Sequence, residues 1–206
     1  MALRVRKGAH RFATAKHLFD GQGFERKDGV MADLEELRAT AHPIRLQLLS
    51  LVTGSAMSSA EAARELAITQ ANASYHLRLL ERAGLVRVVE TARVRGGTAK
   101  RYRHETSAEP FQVIGPTGTG DEATAGARTQ FATVLSNELR RRVSLRTNGP
   151  SIWTDAELWV APEVWVRVVS LVGDAAALLH ASAQPPRSEG TERVAMTTAL
   201  FTMVSR

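Results

Sequence analysis

Residues 68 to 86 read ITQANASYHLRLLERAGLV, and within them Gln70, Asn72, Ser74, Tyr75 and Arg78 present amides, hydroxyls and a guanidinium, with Ala71 on the same face. Such a set is suited to hydrogen bonding with base edges and phosphate oxygens. The segment has helix boundaries of its own. Thr69 can accept a backbone N–H that the first turn leaves unpaired, and Gly84 can take the left-handed conformation that ends a helix. Between them, Ala73, Leu77 and Leu80 recur at helical spacing and mark the face turned to the core. An ordinary solvated helix has a similar polar face, so the neighbouring elements must decide between the two readings.

Other chemistries find no support in the residues. The chain has no glycine-rich phosphate loop, nucleophile elbow or pair of metal-binding histidines, and no carboxylate dyad in a recognisable setting. Its lack of cysteine excludes disulfides and thiolate metal sites. His76 reads as a packed or phosphate-proximal residue, and His42, His104 and His180 are scattered. No catalytic residue, cofactor or metal is expected, and the chain is not read as an enzyme.

The elements that must position the polar helix lie on either side of it. From Asp33 the pattern is helical, with Leu34, Leu37 and Ala41 on one face, until Pro43 ends that helix and opens the next. Ile44, Leu48, Leu51 and Val52 form the second helix's apolar stripe, and Gly54 stops it. Ser58 and Glu61 have capping-box spacing for a short third helix, Ser59 to Leu66, whose Ala62, Ala63 and Leu66 allow close packing. A turn at Ala67 and Ile68 then leads into the polar helix, which makes the pair a helix-turn-helix arrangement.

Behind that helix, residues 86 to 104 read as a hairpin turning at Gly96 and Gly97. Six cations, Arg87, Arg93, Arg95, Lys100, Arg101 and Arg103, stand there against Glu90 alone. A basic hairpin with a glycine tip can approach a phosphate backbone closely, and directly after a recognition helix it has the character of a wing. The same hairpin without a ligand would be a solvated basic surface.

These residues resemble the ArsR-type winged-helix regulators. HPIRLQLLSLV, then AEAARELAITQANASYHLRLLERAGLV and RGGTAKRYR, carry the likeness over about residues 33 to 104, with Ser74, His76 and Leu77 on the family's Ser-x-His-Leu signature and Ala83 to Val86 on its helix-to-wing turn. The resemblance implies a homodimeric, usually repressing, operator-binding protein whose affinity for DNA a ligand alters. It departs from the family's metal sensors, because the cysteine pair is missing and Asp121, Glu122 and Glu138 have no histidine nearby. Metal sensing is therefore not implied.

Composition bounds the remainder. The 206 residues, 44% of them hydrophobic, can bury a core and suit two small domains better than one large one. The net charge is +6, but residues 1 to 30 hold seven Lys and Arg against three Asp and Glu, so overall basicity says little about residues 31 to 206. Residues 1 to 30 also show little apolar periodicity and contain three of the four lysines. They read as a flexible or spurious extension ahead of Met31, with a basic arm that helps hold nucleic acid as the alternative. No uninterrupted run of 18 apolar residues and no signal peptide is recognised, which points to a cytoplasmic protein without a membrane partner.

Residues 106 to 120 read as a linker and 121 to 206 as a dimerisation or effector region. In it, Glu122 to Val143 is predicted helical with Ala127, Phe131, Leu135 and Leu139 on one face. Ile152 to Val160 and Val194 to Val204 are predicted strands, and Pro162 opens a long apolar helix to about Ala183. Part of that helix, or the Phe131 to Leu139 stripe, is expected against the same element of a second subunit. Trp153, Trp159 and Trp165 could line an organic-ligand pocket, but plain core is the preferred reading.

The expected fold is mainly α with small β elements: a winged helix-turn-helix over residues 31 to 105, followed by a C-terminal α/β region. The expected function is a transcriptional regulator, a homodimeric repressor binding palindromic double-stranded DNA through Gln70, Ala71, Asn72, Ser74, Tyr75 and Arg78 and the wing residues Arg93, Arg95, Lys100 and Arg101. Any effector would be a small molecule other than a metal. The alternative is a winged-helix small-molecule-binding or protein-interaction module that does not bind DNA.

Overall fold

The computed structural model describes residues 35–94, 97–104 and 122–204. The expected N-terminal extension, the linker and the wing residue Arg95 lie outside the described residues.

A first helix, α1 (residues 35–40), leads into α2 (Pro43–Gly54), α3 (Ser59–Leu66) and α4 (Gln70–Arg82). Proline opens α2, and the His42 ring assists by accepting the Ile44 N–H at 3.2 Å. The predicted capping box of α3 is present: Ser58 Oγ accepts the Glu61 N–H at 3.3 Å while the Glu61 carboxylate accepts the Ser58 N–H at 2.7 Å. Ala67 then turns the chain in the left-handed region at φ 54°, and Thr69 caps α4 by accepting the Asn72 N–H at 3.2 Å. Gly84 follows α4 at φ +73°, where it meets no neighbour and is needed for its backbone freedom.

The hairpin is β2 (Val86–Val94) paired antiparallel with β3 (Gly97–His104), with Val86 opposite His104 and Val94 opposite Gly97. The register shifts between Val88 and Glu90, so Val89 is an extra residue and lies exposed. A third strand escaped the sequence reading: β1 (Met57–Ser58) pairs with the other edge of β3, giving the order β1-β3-β2. Two residues are too short for a period of two to register.

One core unites these parts. Leu48, Leu49 and Val52 of α2, Met57 of β1, Ala62 of α3, Leu77 and Leu80 of α4, and Leu85, Val86 and Tyr102 around the sheet pack together with little or no exposure. Ile44 and Leu51, predicted for the α2 stripe, pack at its margin, and Leu46 and Leu49 are buried as well because α2 is covered on several sides.

Beyond residue 121, α5 (Glu122–Val143) and α6 (Pro162–Ala181) are as predicted. The inward face of α5 differs from the expected one. Ala127, Val134 and Glu138 are buried, Phe131 packs with Ala127 against Leu37, and Leu139 lies outside at 42% exposure. A buried carboxylate has displaced leucine: Glu138 accepts from Gln47 Nε2 of α2 at 2.7 Å and from Arg141 Nη2 at 2.8 Å. Its partners, being polar, gave no apolar signal to read.

The two predicted C-terminal strands are not formed. Residues 151–160 and 194–204 have no regular structure, and Ile152, Leu158, Trp159 and Phe201 are exposed. β-propensity needs a neighbouring strand to satisfy the backbone, and among the described residues none stands beside either segment. The α/β reading of this region is corrected accordingly: among the described residues it holds two helices and no strand. The tryptophans do not form the expected core, for Trp153 and Trp159 are exposed and Trp165 is only half-buried.

No residue of α6 is buried, and by length and composition this helix could cross a membrane. It contains no unbroken apolar run of that length in the sequence, because Glu163, Arg167 and Asp174 interrupt it. Loop contacts tie the C-terminal half back to the winged helix. Arg187 Nη1 reaches Glu65 Oε1 of α3 at 2.7 Å, and Gly54 lies so close to the Gln184 carbonyl that a Cβ there would collide with it.

Candidate nucleic-acid interface

The polar side of α4 stands clear of the core because its opposite side is wholly occupied. Ala73, Leu77 and Leu80 are fully buried, and His76 is nearly so. This leaves Gln70, Ala71, Tyr75 and Arg78 exposed, with Asn72 and Ser74 half-buried beside them. Tyr75 is 52% exposed, unusual for a large ring, and its edge meets the His76 ring at a centroid distance of 5.1 Å. The Arg78 guanidinium lies over the helix surface, its Nε donating to the Ser74 carbonyl at 3.3 Å. All six residues predicted from the sequence thus share one accessible face, concentrated on the first two-thirds of α4. That face can donate to and accept from base edges and can meet phosphates at its N-terminal turns.

His76 lies behind this face. Its ring stands 4.5 Å from that of His42, so the residue before α2 and the middle of α4 are in direct contact. Burial, together with the neighbouring His42 and Arg45, lowers the His76 pKa; burial, then Arg45, lowers that of His42. Both rings are therefore held neutral near pH 7, in keeping with the packed role read for His76. The contact itself could not be read from the sequence, where the two residues are far apart.

The wing separates into two kinds of cation. Arg93 and Lys100 are exposed on the hairpin, with Lys100 Nζ 3.4 Å from Glu81 Oε1 at the end of α4. Arg101, expected on the nucleic-acid side, is engaged elsewhere. Its Nη1 donates to both Glu61 oxygens at 2.9 and 2.8 Å, its Nη2 to the Ala56 carbonyl at 2.6 Å, and its Nε lies 3.6 Å from Glu90. Its guanidinium fastens β3 to the capping box of α3, whereas Arg93 and Lys100 stay exposed on the hairpin. Glu61 is in turn stabilised as a carboxylate: burial opposes ionisation, but hydrogen bonds from Ser58 and Arg101 outweigh it and lower its pKa. Composition shows six cations on the hairpin; only the fold tells how each described one is engaged.

Comparison with known proteins agrees with this part of the chain. A family model described as a helix-turn-helix domain matches residues 40–89. No curated protein matches the chain. Among solved structures, reduced HlyU from Vibrio cholerae is 22% identical, with 52% of this chain and 92% of that one covered, at a TM-score of 0.31. The homodimeric winged helix-turn-helix DNA-binding domain (fragment 1–100) of Mb0332 from Mycobacterium bovis, a possible ArsR-family transcriptional regulator, is also 22% identical, with 60% and 95% covered, at 0.32. Residues 40–89 match a helix-turn-helix domain, and with the β2–β3 hairpin they have the winged helix-turn-helix architecture.

Proposed function

We propose that the chain is a homodimeric repressor that binds a palindromic operator, with α4 entering the major groove and the wing lying along the flanking backbone. The observation that carries this reading is the accessible polar face of α4, opposite a wholly buried apolar one. Gln70, Asn72 and Ser74 would read bases with Ala71 alongside, Tyr75 and Arg78 would meet bases or phosphates, and Arg93, Arg95 and Lys100 would hold the backbone. Residues 31 to 105 are the reading unit, 106 to 120 the linker and 121 to 206 the region that joins two copies and takes any effector, which would be a small molecule other than a metal. A regulator of this kind works in the cytoplasm with the DNA that it controls. A two-fold dimer would place its recognition helices on half-sites about one helical turn apart, ~34 Å.

The test separates helix from wing. With DNA from upstream of the protein's own gene, Gln70→Ala or Asn72→Ala should relax sequence preference, costing about 1–3 kcal/mol where an amide makes a bidentate base contact. Arg93→Ala should weaken all sequences alike and reduce the salt slope by about 0.9 for its one phosphate. A loss of selectivity from Arg93→Ala with an unchanged salt slope would contradict the wing assignment. Binding that is weak, unselective and insensitive to all three substitutions would favour a winged helix that does not read DNA.

A further inference from the structure

The surface of α6 carries more order than an exposed apolar helix requires. Val164, Val168, Leu171, Ala175 and Leu178 follow one another at spacings of four and three, the repeat of a coiled-coil seam. All five are exposed, the four larger ones by 38 to 64%. The half-buried Trp165, Val172, Ala176 and Leu179 lie to one side of this line. On its other side, one heptad apart, are Arg167 and Asp174, both exposed and neither ion-paired among the described residues.

Two charges of opposite sign in equivalent heptad positions complement a second copy in one orientation only. A parallel pair of α6 helices would bring each Arg167 level with its own copy and each Asp174 level with its own. An antiparallel pair, with its two-fold axis near Ser170, sets Arg167 of one helix beside Asp174 of the other, and symmetry makes the contact twice. The same axis brings Val168 toward Leu171 and Val164 toward Ala175, which closes the apolar line against itself. Charges flanking an apolar seam choose partner and orientation in this way.

We infer that α6 is a self-association surface that pairs antiparallel with α6 of a second copy, with Arg167 and Asp174 selecting that orientation. The pairing deepens the homodimer reading by naming the element and its direction, and it stands or falls without DNA. Two heptads are short for an isolated coiled coil. The exposed Trp153, Leu158 and Trp159 just before α6 supply further apolar surface at the same end of the helix. The competing occupant is a lipid bilayer, since α6 is long enough to cross one. Arg167 and Asp174 disfavour it: each would cost roughly 2.5–3.5 kcal/mol at a bilayer centre, whereas in an antiparallel pair they meet.

The experiment is sedimentation equilibrium on the full chain without DNA, comparing the native sequence with Arg167→Asp, Asp174→Arg and the doubly reversed variant. Each single reversal places like charges at both symmetric contacts and should weaken dimerisation roughly tenfold or more. The double reversal restores opposite charges and should return affinity to within about threefold of the native chain. That recovery also shows that the single variants fail through charge and not through misfolding. Single reversals without effect, or a double variant as weak as the singles, would overturn the antiparallel pairing. So would a chain that is monomeric in solution, whether or not it floats with phosphatidylcholine–phosphatidylglycerol vesicles; flotation would assign the face to lipid. Failure to bind DNA by a chain that dimerises as expected would count against the repressor reading alone.

Discussion

Replacing Glu138 by alanine tests whether the C-terminal half is fastened to the winged helix as the structure describes. The carboxylate is 2% exposed, and it joins α5 to α2 through Gln47 Nε2 at 2.7 Å while Arg141 holds it at 2.8 to 3.1 Å and Arg142 stands at 3.8 Å. Burial works against its charge, but the bonds from Arg141 and Gln47 outweigh it and lower its pKa, so it is ionised at neutral pH. Breaking a fully buried pair from one side costs about 3–5 kcal/mol, and an exposed pair only about 0.2–1 kcal/mol. This site falls between the two. Arg141 is 36% exposed and can return to water once released, whereas the Gln47 amide loses its acceptor inside the α2–α5 contact. The expected loss is therefore about 2–3 kcal/mol, from one charge-assisted bond and one stranded donor. Urea unfolding should show a lowered midpoint with an unchanged m-value. Glu138→Gln, which keeps the shape and an acceptor oxygen, should lose less. In a double-mutant cycle, Gln47→Ala and Glu138→Ala should couple by about 1 kcal/mol. A loss below about 0.5 kcal/mol, the scale of an ordinary surface change, would refute the α2–α5 tie.

Acid should act through the rings behind the polar face of α4. Because the pKa values of His42 and His76 are lowered in the folded state, the unfolded chain takes up protons first; stability is complete above about pH 6.5 and is lost as pH falls below it. A His76→Gln variant should show a smaller loss of melting temperature between pH 7.5 and 5, and equal slopes in both proteins would contradict the assignment. Glu138 and Glu61, with lowered pKa values, add a second and separate loss only below about pH 4.3. Gly54→Ala should push the Gln184 loop from the end of α2, seen as faster amide exchange or proteolysis near residue 184; unchanged protection would mean that the loop does not rest there. Ala67→Gly should raise stability by up to about 1 kcal/mol by relieving the left-handed backbone at φ 54°, and a destabilised variant would argue against that conformation.

The winged helix was legible from the sequence because local chemistry and apolar spacing agree there. Pro43, the Ser58–Glu61 box, Thr69 and Gly84 mark helix boundaries by their own backbone and side-chain chemistry, and Ala73, Leu77 and Leu80 mark an inner face that the fold buries. The polar face of α4 follows from the same periodicity, so its exposure needed no knowledge of distant residues. What tertiary structure alone decided was the pairing of polar groups. Arg101 is bound to Glu61 and the Ala56 carbonyl, His76 is set against His42, and Glu138 takes a buried place on α5 that spacing would assign to Leu139. The C-terminal strands failed for a related reason. Apolar alternation can identify a segment fit for a sheet, but Ile152 to Val160 and Val194 to Val204 have no strand beside them among the described residues. A helix carries its hydrogen bonds within itself and can be read one segment at a time, whereas strands and buried charges depend on partners that only the folded chain supplies.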